Sequence, residues 1–378
     1  MIGLVVCASL WDPDGSEELQ YGHRLLRRSV GEARISIAPQ PGDLASLWPL
    51  ARRLVMASPE LADDASVLLL GHPHVLISPT SLQLLGKTLA SDPQAIVQGF
   101  DSGAPWTGSA PDYCTARGLE RYETRLPQDK AFNAPLEAGR LVSMTLAGTL
   151  RRHPALPQQA AIFQPAAFAH DYSGYHSGTR DEVIALLPAS AQRVLDVGGG
   201  AGGFLRALKA ARRCETHLAE FSPQACEAAR AVVDQVWQGD FLSGDFGTTF
   251  DCITFLDVLE HAEHPLQWLA RARDLLTPDG CVVASIPNVG HWSVLADLIE
   301  GRWDYAPVGI HCITHLRFFT RHGIDTLFAQ AGLELEDVRP VPLARPQWWR
   351  LSVNSERLAI DEASLDTYAY LVRARPKT

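Results

Sequence analysis

The run Arg193-Val194-Leu195-Asp196-Val197 passes directly into Gly198-Gly199-Gly200-Ala201-Gly202-Gly203, and helical spacing follows over residues 203–211. An apolar strand that ends in an acid and a glycine-rich turn before a helix is the start of an open α/β sheet. Its glycines allow positive φ and let the backbone approach a ligand without a Cβ in the way. In such sheets ligands settle beyond the carboxyl ends of the strands. The turn by itself does not choose the ligand, because dinucleotide enzymes use one too.

The pattern around this turn repeats. Residues 217–220 read as a strand and 223–232 as a helix. A short strand at 236–238 follows, then a strand at 250–256, a helix at 265–275 and a strand at 280–286. An amphipathic helix is expected upstream at 179–187. Strands alternating with helices predict a parallel, doubly wound sheet with right-handed crossovers. Two final strands, 333–338 and 366–373, would complete it.

The first part of the chain also reads as α/β, with strands near residues 4–8, 66–70 and 95–97 and helices at 44–56 and 78–91. Periodicity is lost from Gly103 to about Leu136, which predicts a long irregular region. Pro154, Pro157 and Pro165 mark residues 154–165 as a linker. The expected division is therefore a smaller α/β domain over 1–165 and a second domain over 166–378.

Composition narrows the function. A net charge of −10 disfavours nucleic acid or an anionic membrane as partner. Arg27-Arg28 and Arg151-Arg152 read as solvated surface pairs. The seven cysteines form no CxxC pair, which argues against a disulfide framework or structural zinc. The apolar start, residues 1–7, has no basic leader and reads as a first strand. No apolar run is long enough to span a bilayer, so the expected compartment is the cytoplasm.

Four further segments carry the chemistry. Glu220, in Leu218-Ala219-Glu220-Phe221-Ser222, ends the second strand, where a carboxylate can accept both ribose hydroxyls. Gly239-Asp240-Phe241 follows the third. There Asp240 is placed to accept from an adenine amino group and Phe241 to pack on the ring. Phe255-Leu256-Asp257-Val258-Leu259-Glu260-His261 follows the fourth strand. Leu276-Thr277-Pro278-Asp279-Gly280 is a turn before Cys281-Val282-Val283-Ala284-Ser285-Ile286-Pro287-Asn288.

In this order the motifs resemble those of the class I S-adenosylmethionine (SAM)-dependent methyltransferases, over roughly Tyr172 to the C-terminus. The resemblance implies a seven-stranded, mostly parallel Rossmann-like sheet, with the last strands paired as a hairpin and one antiparallel edge strand. It also implies SAM as cofactor. Asp196, Gly198 and Gly200 would shape the pocket for its amino-acid part, Glu220 would hold its ribose, Asp240 and Phe241 its adenine, and Asp257 would lie near its methionyl end; Phe221, beside Glu220, would be a further cofactor contact. Gly199 stands where many relatives carry Cys or Ser, a departure expected to be harmless. Asp171-Tyr172-Ser173-Gly174-Tyr175-His176 is similar to the aromatic lead-in that closes over the cofactor, which makes Tyr172 a cofactor contact.

The resemblance implies methyl transfer to O or N of a small molecule. The stretch Gly290-His291-Trp292, Gly301-Arg302-Trp303-Asp304-Tyr305 and Thr314-His315-Leu316-Arg317-Phe318-Phe319 resembles a bacterial subgroup often associated with saccharide biosynthesis, and there the family builds its acceptor pocket. A hydroxyl acceptor must lose a proton, so His261, His291, His311 and His315 are the bases to consider, His261 and His315 foremost. Asp257-x-x-Glu260-His261 also resembles a divalent-metal site of ubiquinone-pathway O-methyltransferases. The same spacing suits a plain helix start, so no metal is assigned. Residues 67–99 faintly resemble nucleotide-sugar (GT-A) glycosyltransferases. His72-Pro73-His74 stands where those enzymes hold a metal with D-x-D, so the first domain is expected to bind acceptor or to form a homodimer. The competing readings are a bifunctional glycosyltransferase–methyltransferase and a non-catalytic SAM-binding scaffold.

Overall fold

The computed structural model describes residues 2–8, 17–38, 43–71, 75–101, 115–127, 130–158, 160–171, 179–351 and 359–377. The chain divides into two compact units. One comprises residues 1–173 with 304–313, the other residues 174–303 with 314–378.

The first unit runs β1 (Ile2–Ala8), α1 (Glu17–Val30), β2 (Arg34–Ala38), α2 (Leu44–Met56), β3 (Ser66–Leu70), β4 (Val75–Ile77), α3 (Pro79–Ser91) and β5 (Val97–Asp101). It continues with α4 (Ala116–Thr124), β6 (Phe132–Pro135), β7 (Val142–Leu146), α5 (Ala147–Arg152) and β8 (Ala160–Asp171). The sheet order is β2-β1-β3-β7-β5-β8-β4, with β6 also paired to β8. Alternation along β3 explains its central place. Leu68 and Leu70 enter one apolar core with Val5 and Leu85, and Val67 and Leu69 enter another with Leu4 and Trp48. Ser78 caps α3 by accepting from the Ser81 amide, and Pro79 opens the helix, where no amide is needed.

Two expectations fail here. Residues 154–165 are not a linker, because from Ala160 the chain pairs with β5 in parallel and with β4 and β6 in antiparallel fashion. Pro165 is tolerated because the register with β5 shifts there, Gly99 facing Gln164 and Phe100 facing Phe168. Within the stretch expected to be irregular, α4 and β6 form. Thr115 caps α4, and Leu119 and Tyr122 supply its buried side. His72-Pro73-His74 lies outside the described residues.

The second unit runs α6 (Asp181–Ile184), β9 (Arg193–Val197), α7 (Gly203–Ala211), β10 (Glu215–Glu220), α8 (Pro223–Ala229), β11 (Gln235–Gln238) and β12 (Phe250–Leu256). Then come α9 (Pro265–Leu275), β13 (Leu276–Pro287), α10 (Trp292–Ile299), α11 (Arg321–Gln330), β14 (Leu333–Pro342), α12 (Glu362–Leu365) and β15 (Thr367–Pro376). The sheet order is β11-β10-β9-β12-β13-β15-β14. The first five strands are parallel, and β15 is antiparallel to both its neighbours. Alternate residues again feed two cores. Leu195, Ile253 and Val282 lie in one, Val194, Cys252 and Cys281 in the other. This is the doubly wound, seven-stranded Rossmann-like sheet. The strand order reverses between β9 and β12, and the crevice at such a switch point is where these sheets bind ligands.

Three boundaries differ from the sequence reading. The helix expected at 179–187 shrinks to α6, which starts after a left-handed Arg180 and stops before Pro188. The turn expected at 276–280 lies within β13, whose register against β12 shifts between Phe250 and Cys252. The antiparallel strand is β15, one place in from the edge, and β14 takes the edge. Among the described residues no helix is long and apolar enough to cross a membrane.

Candidate active site at the switch point

The carboxyl ends of β9, β10 and β12 bring the sequence-flagged acids to one end of the sheet. Gly198, Gly200 and Gly202 have φ of +72°, +57° and +78°, a region open to glycine at little cost. The turn is closed by Gly198 N donating to Ala219 O (2.7 Å) and Gly202 N donating to Gly199 O (3.0 Å). Gly202 is the N-cap of α7 and offers no side chain there. Gly199 is needed for a different reason. A Cβ at this position would lie 2.1 Å from Asp196 Oδ2 and 2.9 Å from Leu218. The glycine therefore makes the room that the Asp196 carboxylate occupies.

Asp196 is buried and accepts from Thr254 Oγ1 at 2.6 Å, its register partner on β12. Burial pushes its carboxyl up to about 7 against that hydrogen bond. Oδ2 has no hydrogen-bond partner among the described residues. Glu220 is half-buried. Its Oε2 accepts from Gly200 N (3.0 Å) and its Oε1 from Ser222 N (2.8 Å), so the β10 acid also fixes the β9 turn. Phe221, beside it, is 77% exposed. Asp240 is exposed and accepts from Leu242 N at 3.1 Å.

Phe241 is not available to a ligand's face. It is 2% exposed and packs against Phe246, Phe255 and Trp268, with ring centroids 5.7–5.9 Å apart. Its expected place on the adenine is corrected by this packing: a Phe in a short turn was free to point either way. Among the described residues, Phe221 is an exposed aromatic ring at this end. Tyr172 and the rest of the segment 172–176 lie outside the described residues.

Asp257 follows β12 with φ of +56°. Its Oδ2 is ion-paired with the guanidinium of Arg180, and its Oδ1 accepts from Ser285 Oγ at 2.6 Å. Arg180 also donates to Ser285 Oγ (2.9 Å) and to Glu182 Oε1 (2.7 Å). Burial alone would lower the Arg180 guanidinium, but Asp257 and Glu182 outweigh it and hold it above the usual range. Sequence reading missed Arg180. A single arginine before a short helix carries no spacing signal, and only the fold sets it across from Asp257.

One turn further on lies a second cluster. Glu260 is fully buried, and its backbone carbonyl accepts from Leu316 N (2.8 Å) and Arg317 N (3.0 Å). These bonds tie the end of β12 to the Thr314–Phe319 segment. Both Glu260 carboxyl oxygens lack a hydrogen-bond partner among the described residues, and burial raises this carboxyl well above its ordinary value. Oε1 is 3.9 Å from His315 Nε2. The His261 and His315 rings meet edge to face, centroids 4.6 Å apart. Donor atoms of Glu260, His261 and His315 lie within 4.8 Å of one another. The structure thus brings together the two foremost histidines. It does not add Asp257 to the Glu260–His261 pair.

His291 is a different case. It is buried at the N-cap of α10, with Nδ1 3.0 Å from Ser293 Oγ and Nε2 2.8 Å from Leu343 O. Burial lowers its pKa to about 4, so it is neutral near pH 7 and its ring serves to join two segments. His311 belongs to residues 304–313, which group with the first unit. Beside His291, Trp292 meets Trp348 and Trp349 at 6.0 and 5.9 Å, and Trp348 is about half exposed.

Residues 168–338 match the family model described as a methyltransferase domain. The second unit carries a class I SAM-dependent methyltransferase domain. Its cofactor is SAM and its chemistry is enzymatic methyl transfer. The methyltransferase half is 27% identical over 193 residues to a "Ubiquinone biosynthesis O-methyltransferase" of Cereibacter sphaeroides (strain ATCC 17029 / ATH 2.4.9), covering 48% of this chain and 75% of that one. It is 30% identical over 176 residues to the mitochondrial protein of that name from Schizosaccharomyces pombe, covering 42% and 62%. The solved structure of the CcbJ methyltransferase from Streptomyces caelestis aligns over 54% of this chain and 90% of its own, with 19% identity and a TM-score of 0.38.

Proposed function

We propose that this chain transfers the methyl group of SAM to an oxygen atom of a small-molecule biosynthetic intermediate bearing a free hydroxyl, saccharide intermediates included. The observation that carries this reading is the Glu260–His261–His315 cluster, which joins the end of β12 to the segment expected to line the acceptor pocket. The names of the relatives support the choice of oxygen.

In this reading the Asp196 carboxylate and the glycine turn receive the amino-acid part of SAM. Arg180 offers its guanidinium to the carboxylate of that part, and Asp257 its charge to the ammonium. Glu220 takes the ribose, Asp240 the adenine amino group and Phe221 the adenine face. Methyl transfer is an in-line displacement. The acceptor oxygen forms a bond to the methyl carbon as the carbon–sulfur bond breaks with its electron pair to sulfur, and the hydroxyl proton passes to the imidazole of His261 or His315. The protein's part is to hold oxygen, carbon and sulfur collinear in a site closed to water. His261 and His315 orient the acceptor hydroxyl and lower the cost of losing its proton. The first domain of the sequence reading, residues 1–165, serves acceptor binding or pairing of two chains.

The test is calorimetric titration of SAM and S-adenosylhomocysteine into the full chain and into Glu220→Ala. A panel of catechol, phenol and sugar hydroxyl acceptors is then assayed with labelled SAM. One-site binding that the variant weakens, and label found on an acceptor oxygen, are expected. Label found on nitrogen alone would overturn the choice of oxygen.

A further inference from the structure

β11 is an edge of the second sheet, and its two faces differ. On one face, Ala229 of α8 shares a core with Leu218 and Val236. The alternate residues His217 and Trp237 belong to the other face. Beside them opens a pocket of about 390 Å³. That lies within the range of small-molecule sites, roughly 300–1,000 Å³. Its lining includes Arg193, Glu215 and Gln235, the first residues of β9, β10 and β11. The pocket therefore sits at the amino ends of the strands, whereas the glycine turn and Glu220 sit at their carboxyl ends. At a rise of about 3.3 Å per residue, Glu215 and Glu220 lie roughly 17 Å apart along β10.

The lining has a surplus of acceptors. Arg193 is already engaged, donating to Glu215 Oε2 (2.8 Å) and to Thr248 Oγ1 (2.7 Å). The bond from Arg193, and a second with His217 Nε2 at 3.0 Å, hold the Glu215 carboxyl below its ordinary value. A carboxylate only accepts, so His217 gives its Nε2 proton there, and in the neutral ring Nδ1 is left as an acceptor. Asp245 is exposed, accepts from Gly247 N at 3.1 Å and makes no ion pair among the described residues. Two half-buried rings, Trp237 and Phe246, also line the pocket, with centroids 5.5 Å apart.

We infer that this pocket binds a small, flat organic cation of the amidinium or guanidinium kind, at a site separate from the cofactor crevice. Coplanar N–H groups suit the carboxylates of Asp245 and Glu215. The indole and phenyl faces suit the positive charge and the flat shape. An anion is repelled by the same two acids. A neutral ring gains the stacking without the charge. The inference concerns the amino ends of the strands alone and stands apart from the choice of methyl acceptor.

Benzamidine is the probe, with benzamide and benzoate as its neutral and anionic counterparts. Each is titrated calorimetrically into the full chain, with and without saturating S-adenosylhomocysteine. One benzamidine per chain is expected under both conditions, with benzamide and benzoate at least about ten-fold weaker. Asp245→Asn preserves the turn, because its amide oxygen still accepts from Gly247 N, and it weakens benzamidine about ten-fold. Trp237→Leu removes a ring and also weakens benzamidine. Circular dichroism and an unchanged S-adenosylhomocysteine titration show that each variant is folded. Benzamide or benzoate binding as tightly as benzamidine would overturn the choice of a cation. Displacement of benzamidine by S-adenosylhomocysteine would place it in the cofactor crevice and overturn the separate site. Full affinity in folded Asp245→Asn and Trp237→Leu, or no saturable binding to folded wild type, would overturn the pocket itself.

Discussion

Arg180 and Asp257, 77 residues apart in the chain, are joined by an ion pair, and both hold left-handed backbone, at φ of +50° and +56°. Such a conformation is unfavourable for residues with a Cβ and persists where surrounding contacts over-determine it. Here the contacts are the shared Ser285 hydroxyl and the pair itself. In the proposed reading, these two strained residues, locked to each other after β12, are the polar floor for the amino-acid end of the cofactor.

Arg180→Ala therefore weakens SAM binding. A charge-assisted contact is worth about 1.5–3 kcal/mol, which corresponds to roughly a 10- to 150-fold rise in Kd. Arg180→Lys recovers part of it, since one ammonium cannot bridge Asp257, Ser285 and a ligand with the same planar fork. Calorimetry checks this, and an unchanged Kd for the alanine variant would remove Arg180 from the site.

Gly199→Ser forces its Cβ into the space of Asp196 Oδ2. The expected cost is about 1–3 kcal/mol of stability, seen as a lower melting temperature, with weaker SAM binding. Asp196→Ala in the same chain relieves the clash, so the double variant melts above Gly199→Ser alone. A strictly additive double mutant would show that the two side chains do not compete.

The two phenylalanines separate packing from contact. Phe241→Ala leaves a cavity among Phe246, Phe255 and Trp268 and costs about 3–5 kcal/mol in stability. Phe221→Ala leaves the melting temperature nearly unchanged and raises the KM for SAM several-fold by removing the exposed ring. Thermal unfolding paired with steady-state kinetics distinguishes them.

Much of this arrangement was legible in residues alone. Apolar runs alternating with helical spacing placed β9, β12 and β13, and the glycines and Glu220 marked the carboxyl ends of the strands. What stayed hidden depended on distant chain segments. Arg180 acquires meaning only across from Asp257, and His315 only where its segment bonds back to Glu260. In the first unit, Pro154, Pro157 and Pro165 obscured β8. A proline at a register shift is compatible with a strand, but proline spacing cannot distinguish that from a linker.

Stability of the first unit is expected to fall as pH rises. Glu123 is buried and accepts from the hydroxyls of Ser78 and Ser81 (3.0 Å for the latter), and burial pushes its carboxyl up to about 7 from 4.5. A carboxyl whose folded pKa is raised binds its proton more tightly when folded, so its contribution is full below about pH 4.5 and is lost as pH rises through about 7. The loss is on the order of 3 kcal/mol. Glu123→Gln flattens this dependence in denaturant titrations at pH 5 and pH 8. An unchanged slope between those two pH values would exonerate Glu123.

The position of β15 bears on biosynthesis. Thr367–Pro376 fills an interior slot between β13 and β14. During synthesis on the ribosome, every other strand of that sheet emerges before the piece that joins β14 to the rest. The unit therefore waits, with the side of β13 open, until the last strand clears the exit tunnel. Nonsense or frameshift lesions near codon 367 would remove the strand that bridges β13 and β14 and leave nothing to hold the outermost strand.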